Sequence, residues 1–471
     1  MKQTKHILFI AAMLLCSFAA SAQVDIDGIW YNLSDDDRTA VVHKVWDAGD
    51  IVIPSTVTYK DYISNEYHTY TVTTIGAGVV AMQPSVFVNA GKITSICIPA
   101  SVTKIAESAF SGCSKITSLT LPEGLTEIGE FAFEGCGFTS ITLPKGVTKI
   151  PDRAFRDCIN LIDVIFSGEV ISIEYDAFSG CLSLASINFP ESLVNVGENA
   201  FMGCTNLQSV SLPEGLTRIG KWAFGRCSNL IDINIPNGIT KIEEKVFYEC
   251  NKLLPITIPE SVTSIGNEAF FGCKSLTSIL VPNSVTDIGQ GAFMYCDSLE
   301  SVTLSENLTS IAYNAFYCCW SLATIVIPEG VESIEGSSFY GCKNLTDIVL
   351  PKSLKTIGSH TFYSCEKLID VYCYADEVPS ILYYDFYGEF VGCPLHEATL
   401  HVPANLMEEY KNTRPWSDFG NIVALTGDDT GIVELESEKL GSEFIYDISG
   451  RRVEEPSKGI YIVGGRKVIF K

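Results

Sequence analysis

Apolar residues recur along most of this chain with a period of 23 positions, far longer than the rhythm of a single strand or helix. The stretch LASINFPESLVNVGENAFMGCTN is followed at once by LQSVSLPEGLTRIGKWAFGRCSN, with its core apolar positions kept. Cysteines mark the period at Cys113, Cys136, Cys158, Cys181, Cys204, Cys227, Cys250, Cys273, Cys296, Cys319, Cys342 and Cys365. Every interval is 23 residues except Cys136 to Cys158, which is 22, because GCGFTS is one residue shorter than the usual loop. Self-similarity at such a period marks a stack of like units and outranks local propensity.

The unit reads L-x-x-I-x-I-P-x-x-V-x-x-I-x-x-x-A-F-x-x-C. Val210 and Leu212 stand two apart, as on one face of a strand. Pro213 ends that strand, since proline has no N–H to give a ladder. Leu216 and Ile219 point inward again from a second extended piece, Ala223 and Phe224 are expected on a helical or 3₁₀ turn, and Cys227 closes the coil. One unit cannot bury its own apolar face. Stacked copies bury it in columns of Leu, Ile, Phe and Cys.

With these residues in hand, the unit resembles the bacterial leucine-rich repeat of BspA-like surface proteins, over about twelve consecutive copies at 93–373. Departures are few. Ser167-Gly168 and Ser305 replace the strand-ending proline, and Val246, Ser338 and Thr361 replace the alanine. The resemblance implies an α/β repeat protein: a right-handed leucine-rich-repeat solenoid with a β-rich N-terminal cap, a C-terminal cap and a small β tail module.

The flanks differ from the repeats. Residues 1–22 have the form of a secretory leader: Lys2 and Lys5, an apolar run, then Ala20-Ser21-Ala22. Residues 23–92 alternate Val, Thr, Tyr and Ile with polar residues, as strands do, and TVTTIG already has the form of a repeat piece; they are expected to cap the first coil. Residues 374–425 carry an insertion, a strand ATLHVP and a short helix near 406–412, and are expected as the second cap. A linker at 426–440 precedes 441–471, whose YDISGR, GIY and KVIFK resemble the C-terminal sorting domains of the type nine secretion system.

The net charge of -24 and pI near 4.6 argue against nucleic acid and anionic membrane surfaces as partners. No segment after the leader is apolar for 18 residues, so no spanning helix is expected. Seventeen cysteines in an exported chain would ordinarily mean disulfides. Twelve of them, however, occupy one place in every coil and point the same way, so they are expected as buried free thiols, with Cys318 and Cys393 as exceptions. No HExxH pair, nucleophile motif or Cys-x₂-Cys pair occurs, and the Asp25 and Asp35 clusters lack calcium-loop spacing. His396 and His401 share the terminal stretch. No enzyme activity, cofactor or metal is expected.

Two outward columns are candidates for binding. On the strand, Leu280, Val326, Val349 and Tyr372 make the column apolar toward the C-terminus. After the repeat Phe, Tyr317, Tyr340 and Tyr363 do the same. Such rings either pack along the solenoid edge or face a ligand. BspA-like proteins are adhesin-like, so the resemblance implies a secreted or surface-exposed monomer that binds an extracellular protein or cell-surface ligand. A glycan is the alternative that the tyrosine column supports.

Overall fold

The computed structural model describes residues 22–61, 64–76, 86–87, 89–382 and 389–425, and the backbone of five strands between 432 and 470. The leader expected at 1–22, apart from Ala22, lies outside these residues, as do residues 77–85 ahead of the first full coil.

The repeats form a parallel β-solenoid. Most coils give one strand to a ladder at the L-x-x-I-x-I position and a two-residue strand to a second ladder at the V-x-x-I position. In the first ladder Ser186 pairs with Ser209 and Ile187 with Val210; in the second Asn195 pairs with Arg218 and Val196 with Ile219, all parallel and 23 residues apart. The alternation expected for Leu207, Val210 and Leu212 holds, and Leu216 and Ile219 also point inward.

The turn carrying Ala-Phe differs from expectation. It is not helical, and the only α-helix among the described residues is the short Met407–Asn412. The repeats therefore do not carry the α/β label. Two residues per coil, one before the Ala and one before the Cys, take positive φ: Ser108 (55°) and Gly112 (77°), Phe131 (57°) and Gly135 (66°), Arg153 (56°) and Asp157 (56°), and so on along the stack. Alternating the backbone in this way turns every second N–H along the solenoid axis. Ser108, Phe110 and Gly112 donate to the carbonyls of Glu130, Ala132 and Glu134 of the next coil at 2.7–2.8 Å. The intervening Ala109, Ser111 and Cys113 close i→i−3 turns within their own coil. A helix would spend all these donors inside one coil and leave none to bind the next.

The same geometry sets the core. Phenylalanines stack one per coil from Phe87 to Phe390, with centroids such as 5.2 Å for Phe155–Phe178 and 5.4 Å for Phe270–Phe293. Beneath them each cysteine thiol donates to the Phe carbonyl of the preceding coil, as in Cys181 to Phe155 and Cys296 to Phe270, both at 3.2 Å. All sixteen described cysteines are free thiols. From Cys136 to Cys365 burial pushes the column's pKa values up, to about 12 at Cys158 and Cys204. Cys318 and Cys393 are half-exposed, as the sequence suggests; Cys97, on the strand Ile93–Cys97, is the fully exposed thiol that the repeat pattern overlooks.

The first ladder is interrupted in several places. At one of them Pro255 stands where Asp232 and Ser278 pair in neighbouring coils, and its coil gives no strand to this ladder, though Ser264–Ile265 joins the second. The ladder resumes at Ser278–Leu280 and runs unbroken to Asn421–Ala424 as a seven-stranded sheet. Outside, ion pairs also follow the period: Lys221–Glu244, Arg226–Glu249 and Lys343–Glu366 join residues 23 apart at 3.0–3.3 Å. Being exposed and screened, each adds little to stability.

At the N-terminal end an antiparallel meander, Ala22–Ile26, Ile29–Ser34 and Thr39–Val45, leads through Tyr67–Ile75 into the second ladder at Lys104–Ile105. At the other end Phe390 closes the Phe column against Trp416 (5.7 Å) and Phe419 (5.3 Å). The expected strand and helix of this segment are present as Thr399–Val402 and Met407–Asn412. The tail forms a five-stranded sheet. One of its strands, Ile432–Leu435, falls within the stretch expected as linker and pairs parallel with Arg466–Phe470.

Glu389 occupies the alanine slot of this last coil. It is fully buried, and neither carboxylate oxygen has a hydrogen-bond partner among the described residues. A coil enlarged by insertion, 28 residues from Cys365 to Cys393, hides the match Glu389-Phe390-Val391-Gly392-Cys393 from the sequence pattern.

Two outcomes are expected. Thiol titration of the native protein labels Cys97 fully and Cys318 and Cys393 slowly, and denaturant releases the rest; finding the column paired in disulfides contradicts the packing. Burial raises the Glu389 pKa, so its folded form holds a proton that the unfolded chain releases above the ordinary carboxyl range. Its contribution to stability therefore declines as pH rises from that range to the raised folded value. Glu389→Gln should melt with the parent near pH 4 and above it at pH 7. Superimposable melting curves at both pH values would mean that the carboxyl finds a partner.

Candidate binding surface

The corner that carries the Phe column inward also carries a second column outward. The residue after each Phe lies on the solenoid edge, and its backbone is fixed by the axial hydrogen bonds on either side. Wherever successive coils place a ring there, the rings must stack at roughly the coil spacing of about 4.8 Å. Tyr317 and Tyr340 stack at 4.6 Å and 8°, and Tyr340 and Tyr363 at 4.8 Å and 0°. Tyr248 and Phe271 do the same at 4.5 Å.

Two members of the ribbon are not in that column. Tyr295, one position later, bridges Phe271 (5.4 Å) and Tyr317 (5.6 Å) edge-on. It does so from a φ of 59°, the position most other coils give to glycine. Trp222, from the position before the Ala, lies 4.7 Å from Tyr248. Gly225 makes this possible, since a Cβ there would meet the indole Cε3 at 2.6 Å. The ribbon thus runs unbroken through Trp222, Tyr248, Phe271, Tyr295, Tyr317, Tyr340 and Tyr363, all half-buried. Tyr295 stands one residue after its column position, but Trp222 stands three before its own, where the column gives no cue.

Charges flank its first ring. Lys245 lies 5.0 Å above the Trp222 ring and Arg226 5.9 Å from it, paired with Glu268 and Glu249 respectively. Burial pushes the Tyr317 pKa up to about 12, with the Cys318 thiol and the Tyr295 and Tyr340 phenols adding to the rise. Tyr340 rises for the same first reason. These hydroxyls stay protonated at every physiological pH.

The strand-face candidates form a second row. Val326, Val349, Tyr372, His401 and Val423 are parallel register partners in the seven-stranded sheet. Leu280 pairs with Thr303 in the same sheet, and Leu280, Val326, Val349 and Tyr372 are all half-buried. His401 stacks on Tyr372 at 4.2 Å, and its Nε2 meets Asp370 Oδ1 at 3.1 Å. Large exposed aliphatic residues also occur much earlier than the polar-to-apolar gradient suggests. Ile159, Ile162 and Ile165, about half exposed, lie close together in sequence in the coil after the shortened repeat.

The acidic turns serve themselves: Asp25 Oδ1 accepts from the Gly28 N–H and Asp37 from Thr39, while Asp35 takes Tyr70 and Arg38. Among the described residues no group of three His, Cys, Asp or Glu could hold a metal ion, and no helix is long and apolar enough to cross a membrane.

Comparison with known proteins agrees with this architecture. The model of the BspA type leucine rich repeat region matches residues 80–206, 172–290 and 263–390. A leucine-rich repeat protein from Bacteroides ovatus is 28% identical with a TM-score of 0.55, covering 77% of this chain and all of that one. A leucine rich cell surface protein from Faecalibacterium prausnitzii is 29% identical with a TM-score of 0.52, over 74% of this chain and 94% of that one. The pneumococcal vaccine antigen PcpA, at 19% identity and a TM-score of 0.53 over 87% of this chain and all of that one, shares the fold. No curated protein sequence matches the chain. With overlapping matches that run from 80 to 390, this chain belongs to the BspA-type leucine-rich-repeat family.

Proposed function

We propose that the protein is an exported, non-enzymatic, monomeric scaffold that presents an extended surface to an extracellular protein or cell-surface ligand, in the manner of an adhesin. The observation that carries this reading is the aromatic ribbon. Seven rings on one edge remain half-exposed although the Phe column beside them is wholly buried. Large rings left partly in water are a standing cost unless a partner covers them. Tyrosine suits the task, because it offers a wide ring with little rotamer entropy to lose and a hydroxyl that stays wet.

The organisation that goes with this reading is a right-handed solenoid at 93–373 between caps at 23–92 and 374–425. The contacts of Phe390 with Trp416 and Phe419 support the second cap. The continuous sheet from Tyr67–Ile75 into Lys104–Ile105 supports the first. A leader at 1–22, a linker at 426–440 and a sorting-like module at 441–471 account for export. The cell-surface description of the Faecalibacterium prausnitzii relative agrees with it.

The test replaces Tyr317, Tyr340 and Tyr363 together by serine and measures melting and the capture of extracellular-matrix proteins on one plate. The expected result is a loss of capture of tenfold or more with melting lowered by a few degrees at most. A collapse in melting temperature would make the rings packing elements. Unchanged capture would remove the ribbon from the binding face.

A further inference from the structure

Resting on the reading of the ribbon as the binding face, the arrangement of its rings narrows what can bind there. Aromatic side chains recognise sugars by offering an open face, on which the C–H groups of a pyranose lie flat. The stacked rings of this ribbon turn their faces to one another. Tyr248 lies between Trp222 and Phe271, at 4.7 and 4.5 Å; Tyr340 lies between Tyr317 and Tyr363, at 4.6 and 4.8 Å. Tyr295 stands across the gap between Phe271 and Tyr317, at 76° and 74°. At the ends, Lys245 lies over Trp222 at 5.0 Å, and His360 lies 5.9 Å from Tyr363 at a tilt of 53°.

What the ribbon leaves to a partner is a row of ring edges and five hydroxyls, on Tyr248, Tyr295, Tyr317, Tyr340 and Tyr363. Ring edges carry the positive side of the aromatic quadrupole, so a cation gains nothing from them; it gains from a hydroxyl oxygen, which accepts. Apolar side chains pack against edges without penalty. The surrounding chain is strongly acidic, with a net charge of -24.

We infer that the ribbon takes a polypeptide rather than a glycan: an extended, basic segment of a partner protein laid along the solenoid edge. Its apolar side chains rest on the ring edges, and its ammonium or guanidinium groups donate to the tyrosine hydroxyls and to neighbouring carboxylates. Six coil steps separate Trp222 from Tyr363, about 29 Å at the inter-strand spacing, which an extended segment of about nine residues spans.

The probes are a ten-residue alternating valine–lysine peptide, its valine–glutamate counterpart, cellohexaose and N-acetylchitohexaose, each titrated against the mature chain at physiological salt. The variant is Tyr317→Phe, Tyr340→Phe and Tyr363→Phe together, which keeps the rings and removes the hydroxyls. Tyr340→Phe alone is the fallback should the triple variant melt early. The expected result is saturable binding of the valine–lysine peptide, weakened about tenfold in the triple variant, with no binding of the other three. Equal peptide binding by parent and phenylalanine variants would reduce the attraction to general acidity and overturn the inference. Saturable hexasaccharide binding that the serine variant loses would overturn it in favour of a glycan. Either result can coexist with ribbon-dependent capture of matrix proteins, so this inference can fail while the binding face stands.

Discussion

The axial hydrogen bonds at the Ala-Phe corner are the constraint on which the rest of the molecule depends. Left-handed backbone at Ser108 and Gly112, on either side of Ala109, Phe110 and Ser111, sends the N–H groups of Ser108, Phe110 and Gly112 into the next coil. Left-handed backbone costs a non-glycine residue on the order of 1–2 kcal/mol. Glycine fills the position before the cysteine in many coils, but Asp157, Arg226, Glu249, Tyr295, Cys318 and Ser364 fill it elsewhere at the same φ. The strain is borne because a relaxed corner would leave buried carbonyls of the neighbouring coil without donors.

Once the corners are locked, side chains have no freedom to choose neighbours. Each one meets its equivalent one coil away, and a column takes its character from a single repeated position. This is why phenylalanines stack inside, why cysteine suits a slot where a small, weakly donating side chain reaches the carbonyl of the coil before, and why lysine–glutamate pairs recur at a separation of 23. The same rule converts a modest sequence bias, tyrosine in a few consecutive coils, into a continuous ribbon. Interruptions obey it too. A proline in one strand removes a donor and splits the sheet, and the Asn234 side chain bonds both backbone groups of Leu212, at 2.7 and 2.9 Å, in the coil before the break.

Lateral order of this kind mostly spreads like groups along a line. Unlike groups meet where a long side chain reaches across coils, as Arg153 does between Phe131, Tyr175 and Asp176. They also meet at the ends, where the period fails. The Asp370–His401–Tyr372 cluster and buried Glu389 both occur where an enlarged coil or a new strand brings unlike side chains together.

The sequence alone determined the repeat, its family resemblance, the inward and outward sides of each strand, the Phe and Cys columns and the short terminal helix. These follow from a 23-residue period strong enough to outweigh local propensity. It also located Tyr317, Tyr340 and Tyr363 on one edge. Only the tertiary structure decided that the corner is an alternating turn rather than a helix, because backbone handedness has no composition signal when Arg226 and Gly272 adopt it alike. Only the structure drew Trp222 and Tyr295 into the ribbon, since contact across coils depends on where a side chain reaches and not on its column letter. Ile159, Ile162 and Ile165 emerged as exposed for the same reason: exposure is a property of neighbours in space, and a linear pattern counts only neighbours in sequence.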